Sequence, residues 1–405
     1  QLFKEAQDRF LFVLLLLSLL ACFVLILRES GTVPAWPMDQ HFVSTADLRL
    51  GRSEGHWVFH YPILGHAGGI TPSLIAGAYK LLIPTSPQTL NWHIRALSAA
   101  LYLVSAYLLC KTIIKAPSWR PITLLVIATS GSQLLQPSSE VIAGGLLGLF
   151  IVCAMNRCHP LLSAGFLVAF GLCKIELLLS IPALTLVWYL YQRRISTRRA
   201  TIIPIAVLAW FALLVLPGLV VHGPELLGVS RSFLTFSITY NWMFAPHQFS
   251  GYVEPANMDW TSFAAAQFPG ANSVLDVIQR FPRKYLHFFS ICFFESLLTF
   301  IETFRFMLIP MALLIVSRCW IPRLRFPILC ILALVIFTLL PASLLTWIHV
   351  RYLARYVPLV LCVVAAGCSE IQLRYAKPTF MACGWLTIVI QLINLDKLSQ
   401  GSHFY

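Results

Sequence analysis

Long apolar runs, each closed by a short cluster of basic or polar residues, set the rhythm of this chain. Residues 10–27, 95–114, 121–135, 141–155, 161–173, 177–191 and 201–221 succeed one another, and 285–317, 327–350, 356–368 and 378–395 resume the pattern. Inside lipid, backbone polar groups are satisfied only by helices or closed barrels. A helix of about 20 apolar residues matches the hydrocarbon thickness. The pattern therefore predicts an all-α polytopic membrane protein of about 11 transmembrane helices, one integral domain over residues 1–405. Residues 10–27 have the length of a leader core, but no small-x-small site follows them, so they read as a retained first helix.

Two stretches interrupt the rhythm and are expected as outer loops, 29–94 and 222–285. Within the first, 71–83 has the spacing of an amphipathic helix lying in the membrane interface. The segment from Glu29 to His66 carries Asp39, Asp47, Glu54, Arg49, Arg52, His41, His56 and His60, with Trp36 and Trp57 as interfacial anchors. The second is rich in Trp, Phe and Tyr and has no run of membrane-spanning length.

Composition sharpens the class. The chain is 58% hydrophobic with 11% charged residues, and its mean hydropathy is +0.78. No ordinary soluble domain has that balance. A net charge of +13 would suggest nucleic acid in a soluble protein. Here it reads as the cytoplasmic excess of Lys and Arg that orients membrane proteins, and no nucleic-acid partner is expected. Placing the amino terminus and the 193–199 loop inside puts 15 of the 29 basic residues there, with only Glu5, Asp8 and Glu370 among the acids. The outer face then holds nearly all the carboxylates alongside basic residues, which suits a site that binds an anion. The 11 cysteines show no CxxC pair and read as small packing residues.

Several positions carry candidate chemistry. Asp39, shortly after the first run, suits a general base that takes a proton from a hydroxyl, although Pro-x-Asp is also ordinary turn chemistry. Glu54 is an acceptor-contact candidate. Glu140 opens a helix and either binds substrate or caps that helix. Lys174 sits where an apolar run ends and needs a partner, Glu176 or an anionic substrate. Arg351-Tyr352-x-x-Arg355-Tyr356 repeats at four residues, so helical geometry would stack its guanidinium groups. Two such forks grip a phosphate or snorkel to lipid headgroups. The four histidines of the first loop raise a divalent-metal site, but only His56 and His60 have ligand spacing and no metal is expected.

Taken together, Asp39 after the first run, Arg95-Ala-Leu-Ser-Ala-Ala-Leu, Ser138-Ser-Glu140, Gly171-Leu-Cys-Lys174 and Arg351-Tyr-Leu-Ala-Arg355-Tyr-Val-Pro358 resemble the GT-C glycosyltransferases that use polyprenyl-phosphate sugars. The likeness is to the branch of protein O-mannosyltransferases and lipid A aminoarabinose transferases. It covers most of residues 1–370 through short motifs, and Asp39-Gln40 stands where many members have an acidic pair.

The resemblance implies transfer of a sugar from a polyprenyl phosphate to a lipid, glycan or protein hydroxyl, with inversion at the outer face. It makes Asp39 the base and Lys174, Arg351, Arg355 and Tyr352 the donor-phosphate residues. Glu140, Glu54 and Tyr356 would meet sugar or acceptor. The competing classes are a transporter or flippase of a lipid-linked or anionic substrate, and a non-catalytic membrane assembly subunit. With no Asn-x-Ser/Thr sequon, the expected location is a bacterial inner membrane, surrounded by its lipids, with the amino terminus cytoplasmic.

Overall fold

The computed structural model describes residues 2–29, 50–53, 56–59, 69–83, 87–130, 139–223, 231–244, 266–316, 321–346, 350–371 and 375–399. Its chain order is α1 (Leu2–Glu29), a hairpin of β1 (Leu50–Ser53) and β2 (His56–Phe59), α2 (Ile70–Leu82), α3 (Pro87–Ile113) and α4 (Arg120–Thr129). Next come α5 (Ser139–Met155), α6 (Pro160–Gly171), α7 (Ser180–Arg193), α8 (Thr197–His222), α9 (Arg231–Phe244) and α10 (Val274–Arg280). The remainder is α11 (Pro282–Phe304), α12 (Leu308–Val316), α13 (Arg325–Leu334), α14 (Leu340–Ser343), α15 (Val350–Ala354), α16 (Val357–Glu370) and α17 (Ala376–Ser399).

Among the described residues, seven helices are long and apolar enough to cross a membrane, from Glu5–Ile26 to Ala376–Ile393. Exposed Leu, Ile and Val line α1 and α8, including Leu16, Leu20, Ile205, Leu208 and Val220. Stripes of that kind are stable only against lipid. The protein is therefore an integral, helical membrane protein.

The expected count of about 11 spans does not follow from helix length. Three apolar helices, Ser139–Met155, Pro160–Gly171 and Val357–Glu370, fall short of membrane length, and α4 has only 10 residues. The physical reason is position. α5 and α16 are buried along almost their whole lengths, so protein satisfies them and lipid thickness does not set their size. Glycines allow this central packing. A Cβ on Gly145 would lie 2.7 Å from the Leu101 side chain, and one on Gly148 would lie 2.8 Å from the Ser105 hydroxyl on α3. Small residues let helix backbones approach closely in membranes.

The two expected loops carry structure of their own. The first loop contains the antiparallel β1–β2 pair, with Leu50 opposite Phe59, as well as the amphipathic helix α2. The stretch 222–285 is not loop throughout, because α9 and α10 fold against the start of α11. Phe236, Tyr240, Phe268 and Phe288 form a second small core there. Phe236 and Tyr240 stand four residues apart, which puts both rings on one helical face. Ser273 caps α10 by accepting the Asp276 N–H at 3.1 Å, and the Asp276 carboxylate accepts the Asn272 N–H at 3.0 Å. That backbone hydrogen bond, helped by Ser273, holds the Asp276 carboxyl below its usual range. α11 and α12 form one long helical segment interrupted at Arg305, whose φ is 44°.

Ion pairs sort to the two ends of the bundle. Asp8 pairs with Arg120 at 2.9 Å, and Arg323 pairs with Glu370. Arg199 Nη1 donates to the Arg157 carbonyl at 2.9 Å. Helix directions place these at one end, here the basic end, and α5 and α16 run to it from the other. Thiol labelling checks the sidedness expected from charge. A cysteine at Ser196, the residue capping α8, is expected to label only from the cytoplasm, and one at Ser53 in β1 only from outside. Labelling of both from one side overturns that orientation.

Candidate functional site

Three chain reversals meet at the end of the bundle opposite the basic end. α5 begins at Ser139, so Glu140 projects from its first turn. After α6 ends at Gly171 the chain turns through Leu172 and Cys173 to Lys174, then makes a single tight turn, Ile175–Leu177, that carries Glu176. α15 ends at Ala354, and Arg355 and Tyr356 bridge to α16, whose Pro358 sits in the first turn where its missing N–H costs nothing.

These reversals assemble two ion pairs. Lys174 Nζ lies 3.1 Å from Glu140 Oε1, and Arg355 Nη1 lies 3.3 Å from Glu176 Oε1. The Ser139 hydroxyl donates to the other Glu140 oxygen at 3.1 Å. Buried Cys173 stands within electrostatic reach of all four charges, so the two pairs make one cluster. Two carboxylates and two cations sum to zero. That balance is what lets charged groups persist in an apolar bundle, since an unpaired buried charge costs several kcal/mol.

Aromatic and hydroxyl groups frame the cluster. The Arg355 guanidinium carbon is 5.5 Å from the Tyr352 ring centre and 5.1 Å from that of Tyr356. Lys174 Nζ is 6.0 Å from the Tyr352 ring. Tyr356 in turn exchanges a 2.7 Å hydrogen bond with the Thr338 hydroxyl. Thr338 lies in a π-helical turn, Val335–Leu339, that widens the helix between α13 and α14. The Tyr102 hydroxyl on α3 donates to the Ala354 carbonyl at 2.9 Å and so fixes the start of the Arg355 turn. Gly144 admits both neighbours, because a Cβ there would sit 2.8 Å from the Tyr102 ring and 3.1 Å from the Arg355 Cα.

The first loop rejoins the described structure beside this cluster. The Ile70 and Thr71 N–H groups donate to the Leu172 carbonyl at 2.9 and 3.2 Å, two residues before Lys174. Gly69 precedes them at φ 66°, and a Cβ on it would lie 2.1 Å from the Cys173 carbonyl oxygen. Only glycine fits this contact. Gly69→Ala is expected to destabilise the protein by roughly 1–3 kcal/mol, the cost of a strained backbone with a forced shift. Thermal melts in detergent measure it, and an unchanged melt means that α2 does not depend on this contact.

An apolar groove of about 630 Å³ runs along α7 and α8, lined by Leu179, Pro182, Leu186, Tyr189, Pro204 and Phe211 among others. It begins at Leu178, two residues past Glu176, and follows α7 for about 16 Å at the helical rise. α5 and α16, with 17 and 14 residues, measure about 25 and 21 Å from the cluster to the basic end. Both are shorter than the roughly 30 Å hydrocarbon layer.

Of the residues singled out in the sequence, Glu140, Lys174, Tyr352, Arg355 and Tyr356 come together here. Asp39 and Glu54 lie outside the described residues, as do His41, His60 and His66. Arg351 belongs to α15, but its side chain is not among those described. The stacked-arginine helix is not found, because α15 ends before Arg355. Lys174 takes Glu140 as its partner, leaving Glu176 for Arg355. Thr338, Tyr102 and Gly144 were not legible as site residues, since each is an ordinary core position along its own helix. Among the described residues, no three His, Cys, Asp or Glu side chains converge on a metal position. No protein-family model, curated protein or solved structure matches this chain.

Proposed function

We propose that the chain is an integral-membrane glycosyltransferase of GT-C type. It moves a sugar from a polyprenyl phosphate to a hydroxyl of a lipid, glycan or protein. The observation that carries this reading is the convergence of Glu140, Lys174, Tyr352, Arg355 and Tyr356 beside the mouth of an apolar groove. A prenyl tail suits the groove, and a phosphate suits the two cations at its end. α2, the helix that follows the loop of Asp39 in the chain, is anchored beside Lys174.

In this mechanism Asp39 takes the proton of the acceptor hydroxyl, and the hydroxyl oxygen bonds to the anomeric carbon from the face opposite the phosphate. The bond from that carbon to the phosphate oxygen breaks with inversion. Lys174, Arg351 and Arg355 stabilise the charge that grows on the departing polyprenyl phosphate. Glu140 holds Lys174 in place, while Glu54 and Tyr356 are assigned to acceptor and sugar.

Purified protein given a radiolabelled polyprenyl-phosphate sugar and membrane extract tests the reading. Label transferred to an acceptor supports it, and label remaining on the donor under all acceptors overturns it. A lipid-phosphate translocator is the second reading. The break at Arg305 and the π-helical turn Val335–Leu339 favour it, since transporters build substrate sites from discontinuous helices. It requires vesicles bearing the protein to pass lipid phosphate between leaflets without sugar transfer.

A further inference from the structure

Arg355 is held incompletely for so deeply buried a group. Its side chain is fully buried, with 0% exposure, and among the described residues its ion-pair partner is Glu176, with Nη1 at 3.3 Å. Nε and Nη2 have no hydrogen-bond partner among the described residues. Those two nitrogens form the side edge of the guanidinium, the fork that matches two oxygens of a phosphate. The rings of Tyr352 and Tyr356 flank the group, which leaves the edge for an incoming anion.

The two carboxylates of the cluster are held very differently. Glu140 has 4% side-chain exposure and projects from a 17-residue helix, with Lys174 ion-paired to one oxygen and the Ser139 hydroxyl donating to the other. Glu176 has 21% exposure, rides on a three-residue turn, and among the described residues makes one hydrogen bond, at the long end of the range. Charge then sets a condition. The four described charges balance, so a phosphate that pairs with Arg355 competes with Glu176 for the guanidinium.

We infer that Glu176 is an exchangeable counter-ion of the donor site: it holds Arg355 until a lipid phosphate takes the guanidinium edge, then swings towards its exposed side. This rests on the reading of Arg355 as a donor-phosphate residue and adds a regulatory role for Glu176. Glu140 stays on Lys174 throughout. Glu176 is thus a competitor of the substrate, and its removal has the opposite sign from removal of Glu140.

Binding of farnesyl phosphate to the full chain in nanodiscs tests this, with farnesol as the control lacking phosphate. Glu176→Gln is expected to bind farnesyl phosphate about tenfold tighter than the parent, because one charge-assisted hydrogen bond no longer competes. Glu176→Asp is expected to stay near the parent, Glu140→Gln to bind more weakly, and Arg355→Lys to lose about tenfold with its fork. Farnesol binding should be the same in all. A purely structural Glu176 would weaken binding when changed, never strengthen it. Equal or weaker binding by folded Glu176→Gln, with Arg355→Lys still impaired, overturns the exchange and leaves the phosphate reading intact. Parental binding by Arg355→Lys, and by Arg355→Ala where it folds, overturns the phosphate reading together with the exchange.

Discussion

Asp39→Asn is expected to lower turnover by about 10²–10⁴-fold, the usual contribution of a general base, while donor binding stays at the parental level. Asparagine keeps the size and much of the hydrogen bonding of aspartate but takes no proton near neutral pH. Asp47→Asn, eight residues further along the same loop, is expected to cost little, because that acid reads as a surface partner of Arg49 or Arg52. The comparison is turnover of the two variants at matched expression and donor occupancy. Near-parental activity in Asp39→Asn would remove the loop from the chemistry. Glu140 is then a poor substitute as base, since its oxygens are already engaged by Lys174 and Ser139.

The second large effect is on folding. Arg355→Ala is expected to destabilise the protein by about 3–5 kcal/mol, the range for removing one partner of a buried ion pair. The loss has three parts. Glu176 loses its counter-ion, the space between Tyr352 and Tyr356 is left unfilled, and the neutral cluster becomes net negative. Arg355→Lys keeps the charge and should recover much of the stability without recovering the fork. Arg351→Ala is expected to weaken donor binding by about 1.5–3 kcal/mol, the cost of losing a charged hydrogen-bond donor to the phosphate. Thermal melts in detergent and donor titrations on the same preparations separate these outcomes. An Arg355→Ala melt equal to the parent's would mean that the ion pair contributes nothing to the fold.

Individual elements show how far local pattern reaches. Residues 10–27 and 201–221 were legible as spans, and they fall within α1 and α8, because a lipid-facing helix must be apolar over the full membrane thickness. Residues 141–155 and 356–368 were legible as apolar helices but not as short central ones. A helix wrapped by protein and one wrapped by lipid have similar compositions. The small core of Phe236, Tyr240, Phe268 and Phe288 was hidden for a related reason. It gathers aromatics from segments whose separations along the chain carry no period.

By itself the sequence determined the class and the apolar runs, and it singled out Glu140, Lys174 and Arg355. A charge placed in a chain this apolar is conspicuous whatever its partner. Tertiary structure alone decided who pairs with whom. Lys174 and Glu176 are two residues apart and looked like a pair, yet each turns to a residue from another element, Glu140 on α5 and Arg355 between α15 and α16. Lys174 has extended backbone, φ −154° and ψ 150°, whereas Glu176 sits in the tight turn Ile175–Leu177 that follows, so the two do not share the i, i+3 or i, i+4 spacing that brings side chains together on a helix. Tertiary structure also decided the need for glycine at positions 69 and 144, because each answers to a neighbour more than 30 residues away that passes too close for a Cβ. Local propensity reads what a segment is, whereas the partners of a buried charge depend on which helix ends the packing brings together.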